Sequence, residues 1–314
     1  LNAFCVKIKK AKIRGVEYNG MICSVKELAM GEEHDGIWEM DTKAKPGTPL
    51  AAAMGGAEQI IEVSITPNRG DVLSMYGLAR DLAAAGLGTL IEPEEKMVGK
   101  DVPDVKADIK TDKCKFFSGI SVRNIKNTAS PDWMQKKLTN AGLRPRNAVV
   151  DVTNYIMLSL GQPLHAYDED KLSGSIYAAA AKGGETYTGI GGDDYRLNTG
   201  DVAICDDSGV IGLGGILGGE STAVSEDTTN IHLEAAWFER SAIAKTGQAH
   251  QINSDARYRF ERGIDPAMTP LANKAAAVLI QEICGGTVSA MEEVGTTKIE
   301  LPTIAYPLEM SEKF

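Results

Sequence analysis

The chain has 314 residues, 43% of them hydrophobic and 24% charged, and a formal net charge of −10. That balance fits a packed globular protein of two or three domains and counts against a dedicated nucleic-acid-coating module, which is usually basic. No apolar run reaches the roughly 18 residues of a membrane span; the five cysteines form no CxxC pair and the four histidines no HExxH, so the usual zinc frameworks are excluded and free thiols in a reducing, cytoplasmic setting are expected.

In chain order, Val6 and Ile8 alternate with lysines as a half-buried strand would. Asn19-Gly20 signals a turn, with Met21-Ile22-Cys23 as the next strand. The start lacks a methionine and sits in a basic stretch, which reads as a piece of a longer protein. Gly55-Gly56 reads as a link, and Ile60 to Ile65 as a strand ended by Pro67. Asp71 then caps a helix whose apolar face runs through Val72, Met75, Ala79 and Leu82 to a stop at Gly86.

Residues 92–113 are charged and proline-rich, a linker or exposed edge. Phe117 to Val122 follows as a strand. Ser130-Pro131-Asp132 opens a helix, with serine as N-cap and proline at the first helical position, and a second helix covers Val152 to Leu160. Residues 175–240 read as short strands and glycine turns. Asp265-Pro266 starts a long alanine-rich helix to Cys284, closed by Gly285-Gly286. The pattern gives an α+β fold class, multidomain, with mixed antiparallel strands and helices.

Four segments could carry chemistry. His165, in Gly161-Gln162-Pro163-Leu164-His165-Ala166-Tyr167-Asp168, could hold a water or move a proton, or merely bond into a loop. The glycines from Gly212 to Gly219 let backbone approach a ligand, but no lysine follows as in a P-loop and Leu217 breaks the dinucleotide fingerprint. On their own they read as a tight, bulged turn. In Ile231 to Phe238, strand parity puts His232 and Glu234 on one face, and a carboxylate in an apolar strand is costly to bury unless paired. Its plain alternative is an edge charge facing water. Asn253 to Asp265 is dense in charge, and for Arg259, Glu261 and Arg262 a salt-bridged structural loop is the preferred reading. Two basic groups, Lys7 to Arg14 and Lys136, Lys137, Arg144 and Arg146, could face phosphate or simply be solvated. No Ser/His/Asp or Cys/His set is legible.

Taken in order, these segments resemble the β subunit of bacterial phenylalanyl-tRNA synthetases. Lys12-Ile13-Arg14-Gly15-Val16-Glu17, Asn19-Gly20-Met21 and Gly31 to Ile37 are similar to the tail of that family's OB-fold tRNA-binding domain. Thr66 to Asp71 with Gly77 to Asp81 resembles the small domain after it. The His165 segment, the run ending Gly218-Gly219-Glu220, Leu233-Glu234-Ala235 and Arg259 to Gly263 resemble the editing domain.

The resemblance implies the end of an OB-fold-like domain over 1–52, a small α/β domain and linker over 53–112, a tRNA-editing domain over 113–290, and the start of a further domain over 291–314. It implies hydrolysis of mischarged Tyr-tRNA-Phe, with His165 and Glu234 as catalytic-site residues and Arg144, Gly218, Ser254 and Ala256 as substrate-binding ones, and no metal. Glu234 would read the tyrosine hydroxyl, His165 would position water or the ester, Gly218 would leave room for the ligand's backbone, and Ala256 would set pocket size. The implied partners are tRNA-Phe and the α subunit of an α2β2 heterotetramer, which would hold the ATP and magnesium. Two departures stand out: Ser254 where the family usually has threonine, and Tyr177 to Ala181 where it usually has arginines. The alternative function is a non-catalytic tRNA-binding scaffold with a vestigial pocket.

Overall fold

The computed structural model describes residues 9–28, 30, 34–54, 60–301, 303–307, 309 and 311. The Val6/Ile8 strand, the segment 31–33 and the Gly55-Gly56 link lie outside the described residues. Contacts divide the chain into a unit of residues 1–61 and a unit of residues 62–314.

In the first unit, β1 (Ala11–Ile13) and β2 (Val16–Tyr18) form an antiparallel hairpin. Its turn is Arg14-Gly15, with φ of 52° and 86°, not the expected Asn19-Gly20. Two consecutive positive φ angles match the twist of the flanking strands, so the arginine tolerates a backbone that its neighbour glycine favours. Met21 to Cys23 forms no strand. A short helix α1 (Leu50–Ala53) follows Pro49.

Residues 60–65, at the boundary between the two units, are unpaired: no described strand lies beside them, and Ile61 is 84% exposed. Gly70–Val72 makes one 3-10 turn before α2 (Met75–Ala84). Ser74, rather than Asp71, is the N-cap, its Oγ accepting from Gly77 N at 3.0 Å. Asp71 is instead held by Arg69 and Arg80. The stretch expected as linker contains β3 (Ala107–Lys110), and β4 (Cys114–Arg123) follows.

Next come α3 (Asp132–Asn140), α4 (Ala148–Leu160), β5 (Leu164–Asp168), β6 (Ile176–Ala180), β7 (Thr186–Thr188), β8 (Asp194–Arg196), β9 (Val202–Asp206), β10 (Gly209–Leu213), β11 (Leu217–Gly218) and β12 (Asn230–Phe238). The chain then runs through α5 (Arg240–Ala249), α6 (Asp255–Phe260), α7 (Met268–Cys284), β13 (Thr287–Val288) and β14 (Glu292–Gly295). Ser130 does not cap α3; its hydroxyl donates to Asp151, and Pro131 stands at the cap position. The segment from Asn253, expected as a loop, contains α6 because Ser254 caps it.

Two sheets face each other. One has the order β11-β10-β9-β6-β3, antiparallel except for the parallel β3–β6 pair; the other is β13-β4-β12-β5, with β14 also on β4. Parity along β12 explains the layering. Ile231 and Leu233 face α4 and α7, in a core with Ile120, Val152 and Ala276. Ala236 and Phe238 face the first sheet, in a core with Ile204, Ile211 and Leu213. Each fully buried valine, leucine, isoleucine or phenylalanine among them contributes about 1.5–3 kcal/mol. Helix α7 lies close on the sheet because Ala272 and Ala276, both fully buried, present no bulk on that side.

Candidate active site

The α4–β5 junction fixes the first functional side chain. Helix α4 ends at Gly161, whose φ of 83° suits a left-handed cap. Gln162 is fully buried; its Nε2 donates to Pro163 O and Ala236 O, and its Oε1 accepts from Thr269. That clamp ties β5 to β12 and α7. It sets the register in which Glu234 lies opposite His165 and His232 opposite Tyr167.

On β12, Glu234 is central, between β4 and β5, so the edge-charge reading fails. Its partner on β4 is Gly119, and it is 6% exposed. The Tyr167 hydroxyl donates to Glu234 Oε2 at 2.5 Å. Burial raises the carboxyl to about 7, against the lowering pull of that hydrogen bond. Burial likewise pushes the Tyr167 phenol up, helped by the Glu234 charge.

His165 is driven down to about 4 by burial, so its imidazole is neutral near pH 7. Its ring meets Tyr167 edge-on, with centroids 4.4 Å apart, and its Nε2 is buried without a hydrogen-bond partner among the described residues. His232 is also brought to about 4, by burial and then by the Arg123 charge; its Nδ1 lies 3.2 Å from Ser121 Oγ.

The glycine run is a tight hairpin of β10 and β11, and the bulge lies outside it, between Val210 and Gly212 in the pairing of β10 with β9. It also walls a pocket. That cavity, about 80 Å³, is lined by His165, Tyr167, Glu234, Ile204, Leu213, Ile216, Gly218, Ala256 and Phe260, among others. It is about half the size of the roughly 150 Å³ cavity that takes up benzene, so an aromatic ligand enters only as lining side chains yield.

The structure therefore brings His165, Gly218, Glu234 and Ala256 together at one cavity. Ser254 supports it from behind: its hydroxyl donates to Ile216 O at 2.7 Å and accepts from Arg257 N at 3.1 Å. Arg144 is exposed on the loop after α3 and does not line the cavity. Gly218 makes room for a protein group: a β-carbon there would lie 2.2 Å from His165 Cε1. Tyr167 joins the site although its residue type alone points to no role; its spacing of two from His165 is the signal, because it puts both on one strand face. Arg257, Glu261 and Arg262 form a salt-bridged cluster, and Arg259 bonds Leu73 O and Asp255, as a structural reading requires. Among the described residues no group of three or more His, Cys, Asp or Glu could hold a metal, and no helix is long and apolar enough to cross a membrane.

The B3/4 domain family model matches residues 113–285, the stretch that holds every part of this site. The chain belongs to the B3/4 domain family. Beyond that domain, the chain is similar to proteins named phenylalanine--tRNA ligase beta subunit. The beta subunit of Novosphingobium aromaticivorans is 44% identical over 98% of this chain, and that of Gluconobacter oxydans 45% over 92%. The match covers 39% and 35% of those two proteins. A solved N-terminal fragment of the phenylalanyl-tRNA synthetase beta subunit from Pyrococcus horikoshii is similar at 17% identity and a TM-score of 0.41, over 74% of this chain and 65% of that one.

Proposed function

We propose that this chain is part of a phenylalanine-tRNA ligase β subunit and that its B3/4 domain hydrolyses the ester of Tyr-tRNA-Phe. The observation that carries the reading is a carboxylate buried in mid-strand, at the wall of a cavity, with a phenol hydroxyl as its partner. A site built to bond a hydroxyl discriminates strongly against the analogue that lacks it, here phenylalanine.

In the reaction, water attacks the ester carbonyl, the ester C–O bond breaks, and the terminal ribose hydroxyl leaves with a proton, releasing tyrosine. Glu234 accepts the hydrogen bond of the substrate phenol. His165, neutral at working pH, offers its unpartnered Nε2 to water or the ester; with a pKa of about 4 it orients rather than deprotonates. Ser254 holds the Ile216 carbonyl and the start of α6, and so the wall that includes Ala256.

The whole assembly is read in the same way: a cytoplasmic α2β2 enzyme whose α subunit uses ATP and magnesium, with domains over 1–52, 53–112, 113–290 and 291–314. tRNA phosphates are the proposed partners of the exposed Lys137, Arg144 and Arg146. A second reading, a scaffold with a vestigial pocket, draws on the small cavity volume of about 80 Å³ and on alanines at 178–181.

One assay separates them: release of tyrosine from Tyr-tRNA-Phe by this chain, by Glu234→Ala and by His165→Ala. Hydrolysis lost in both variants supports editing. Equal release by all three supports a scaffold.

A further inference from the structure

Strand β5 places Tyr167 two residues after His165, on the same face of the sheet, so the two rings pack edge to face at 4.4 Å. Across the ladder, Glu234 is opposite His165 and Tyr167 is opposite His232. The Tyr167 hydroxyl therefore reaches Glu234 on the diagonal, which is within range of an aromatic side chain. The bond is 2.5 Å, Tyr167 is 2% exposed, and it is the hydrogen bond that Glu234 makes among the described residues.

A buried carboxylate oxygen without a donor is costly, so the Glu234 side chain follows the one donor fixed beside it. Glutamate has three rotatable bonds and would otherwise sample several rotamers. Tyr167 cannot swing away as easily: its ring is packed in the inter-sheet core with Phe117 and Ile204.

We propose that Tyr167 is a positioning residue that sets this site's preference for a hydroxylated aromatic side chain, by fixing the Glu234 carboxylate through Oε2 and leaving Oε1 for the ligand's phenol. The proposal rests on the reading of Glu234 as the group that meets a ligand hydroxyl. It assigns Tyr167 no contact with the reacting ester. Phenylalanine at 167 would keep the ring and its contact with His165 and remove only the donor.

The test uses L-tyrosine amide and L-phenylalanine amide as probes, titrated by calorimetry into the full 314-residue chain, into Tyr167→Phe and into Glu234→Ala. The tyrosine-over-phenylalanine preference should fall roughly tenfold in Tyr167→Phe, the scale of one hydrogen bond to a charged group. Alongside, carbon-13 NMR should show the Glu234 carboxyl titrating at higher pH in Tyr167→Phe, because the hydrogen bond that favours its charged form is gone. A role confined to packing would leave that midpoint unmoved. An unchanged preference, or an unmoved midpoint, overturns the proposal.

Two failures are distinguishable. If the unsubstituted chain prefers tyrosine amide, and Glu234→Ala loses the preference while Tyr167→Phe keeps it, Tyr167 alone has been misassigned. If the unsubstituted chain shows no preference and Glu234→Ala binds both probes equally well, the reading of Glu234 falls, and this proposal with it. Should Tyr167→Phe fail to fold, the unsubstituted chain still decides. The phenol carbon of Tyr167 should shift at the midpoint at which the Glu234 carboxyl titrates, and no shift there overturns the coupling.

Discussion

The space that a side chain on Gly218 would occupy is filled by the imidazole of His165, which would lie 2.2 Å from a β-carbon at position 218. His165 thus stands where it does because its neighbour across the cavity has no side chain. Gly218→Ala should displace the ring and destabilise the fold by about 1–3 kcal/mol, the usual cost of overpacking. In the double variant with His165→Ala that cost should largely vanish, a coupling that denaturant unfolding of the four proteins would measure. Additive costs would show that the ring moves aside freely.

Glu234→Gln should change the pH profile of stability in a defined direction. The carboxyl is raised in the folded state from 4.5 to about 7, so the folded protein holds its proton more tightly. Its contribution is fully present below pH 4.5 and is lost as pH rises through 7. The glutamine variant does not titrate there, so it should gain up to about 3 kcal/mol on the original at pH 8 and nothing at pH 4. Tyrosine release from Tyr-tRNA-Phe should nonetheless fall. Melting temperatures at the two pH values check the first part.

The two buried histidines act in the opposite sense. His165 and His232 are lowered from 6.5 to about 4, so the stability each supplies is present above pH 6.5 and is lost as pH falls through 4. Each is worth up to about 3 kcal/mol over that window, and together they outweigh Glu234. His232→Gln, which takes no part in the proposed chemistry, should therefore unfold at a lower pH than the original. An acid titration followed by circular dichroism decides; an unchanged or raised midpoint would refute the argument.

Ser254 serves two backbones at once, the Ile216 carbonyl and the first turn of α6. Ser254→Ala should cost about 1–2 kcal/mol through the lost cap. Ser254→Thr keeps the hydroxyl and should retain both stability and hydrolysis. Equal losses in the two variants, measured by urea unfolding, would mean that size rather than the hydroxyl matters at this position.

Ala256 lines a cavity of about 80 Å³, so bulk at this position is decisive. Ala256→Val should abolish binding of tyrosine amide, and Ala256→Gly should retain or improve it. Calorimetry on the two variants reads the difference directly.

Much of this was legible in the sequence because the relevant signals are short in range. Alternation along Ile231 to Phe238 puts Glu234 on one face, and the glycines before Gly219 signal a tight turn. What parity could not reveal is which sheet covers that face. Burial of Glu234 depends on Ile204 and Leu213, residues distant in the chain whose strands only the fold brings near. The same limit hid Tyr167: its partner lies 67 residues away. Local misreadings had local causes. Asp71 is a good capping residue, but two arginines beside it compete for its carboxylate, and Ser74 is left to cap α2. Ile60 to Ile65 has the composition of a strand, and no described strand lies next to it to pair.

Strand β12 divides its residues between a helical layer and the facing sheet, one by one along its length. A saturation scan from Asn230 to Phe238 should therefore yield two interleaved records. Tolerance at Ile231, Leu233 and Ala235 would report abundance of the folded protein alone, whereas tolerance at Glu234, which lines the cavity, would also report selectivity. A deletion of one residue would exchange the two records, so point substitutions are far better tolerated in this strand than changes of its length.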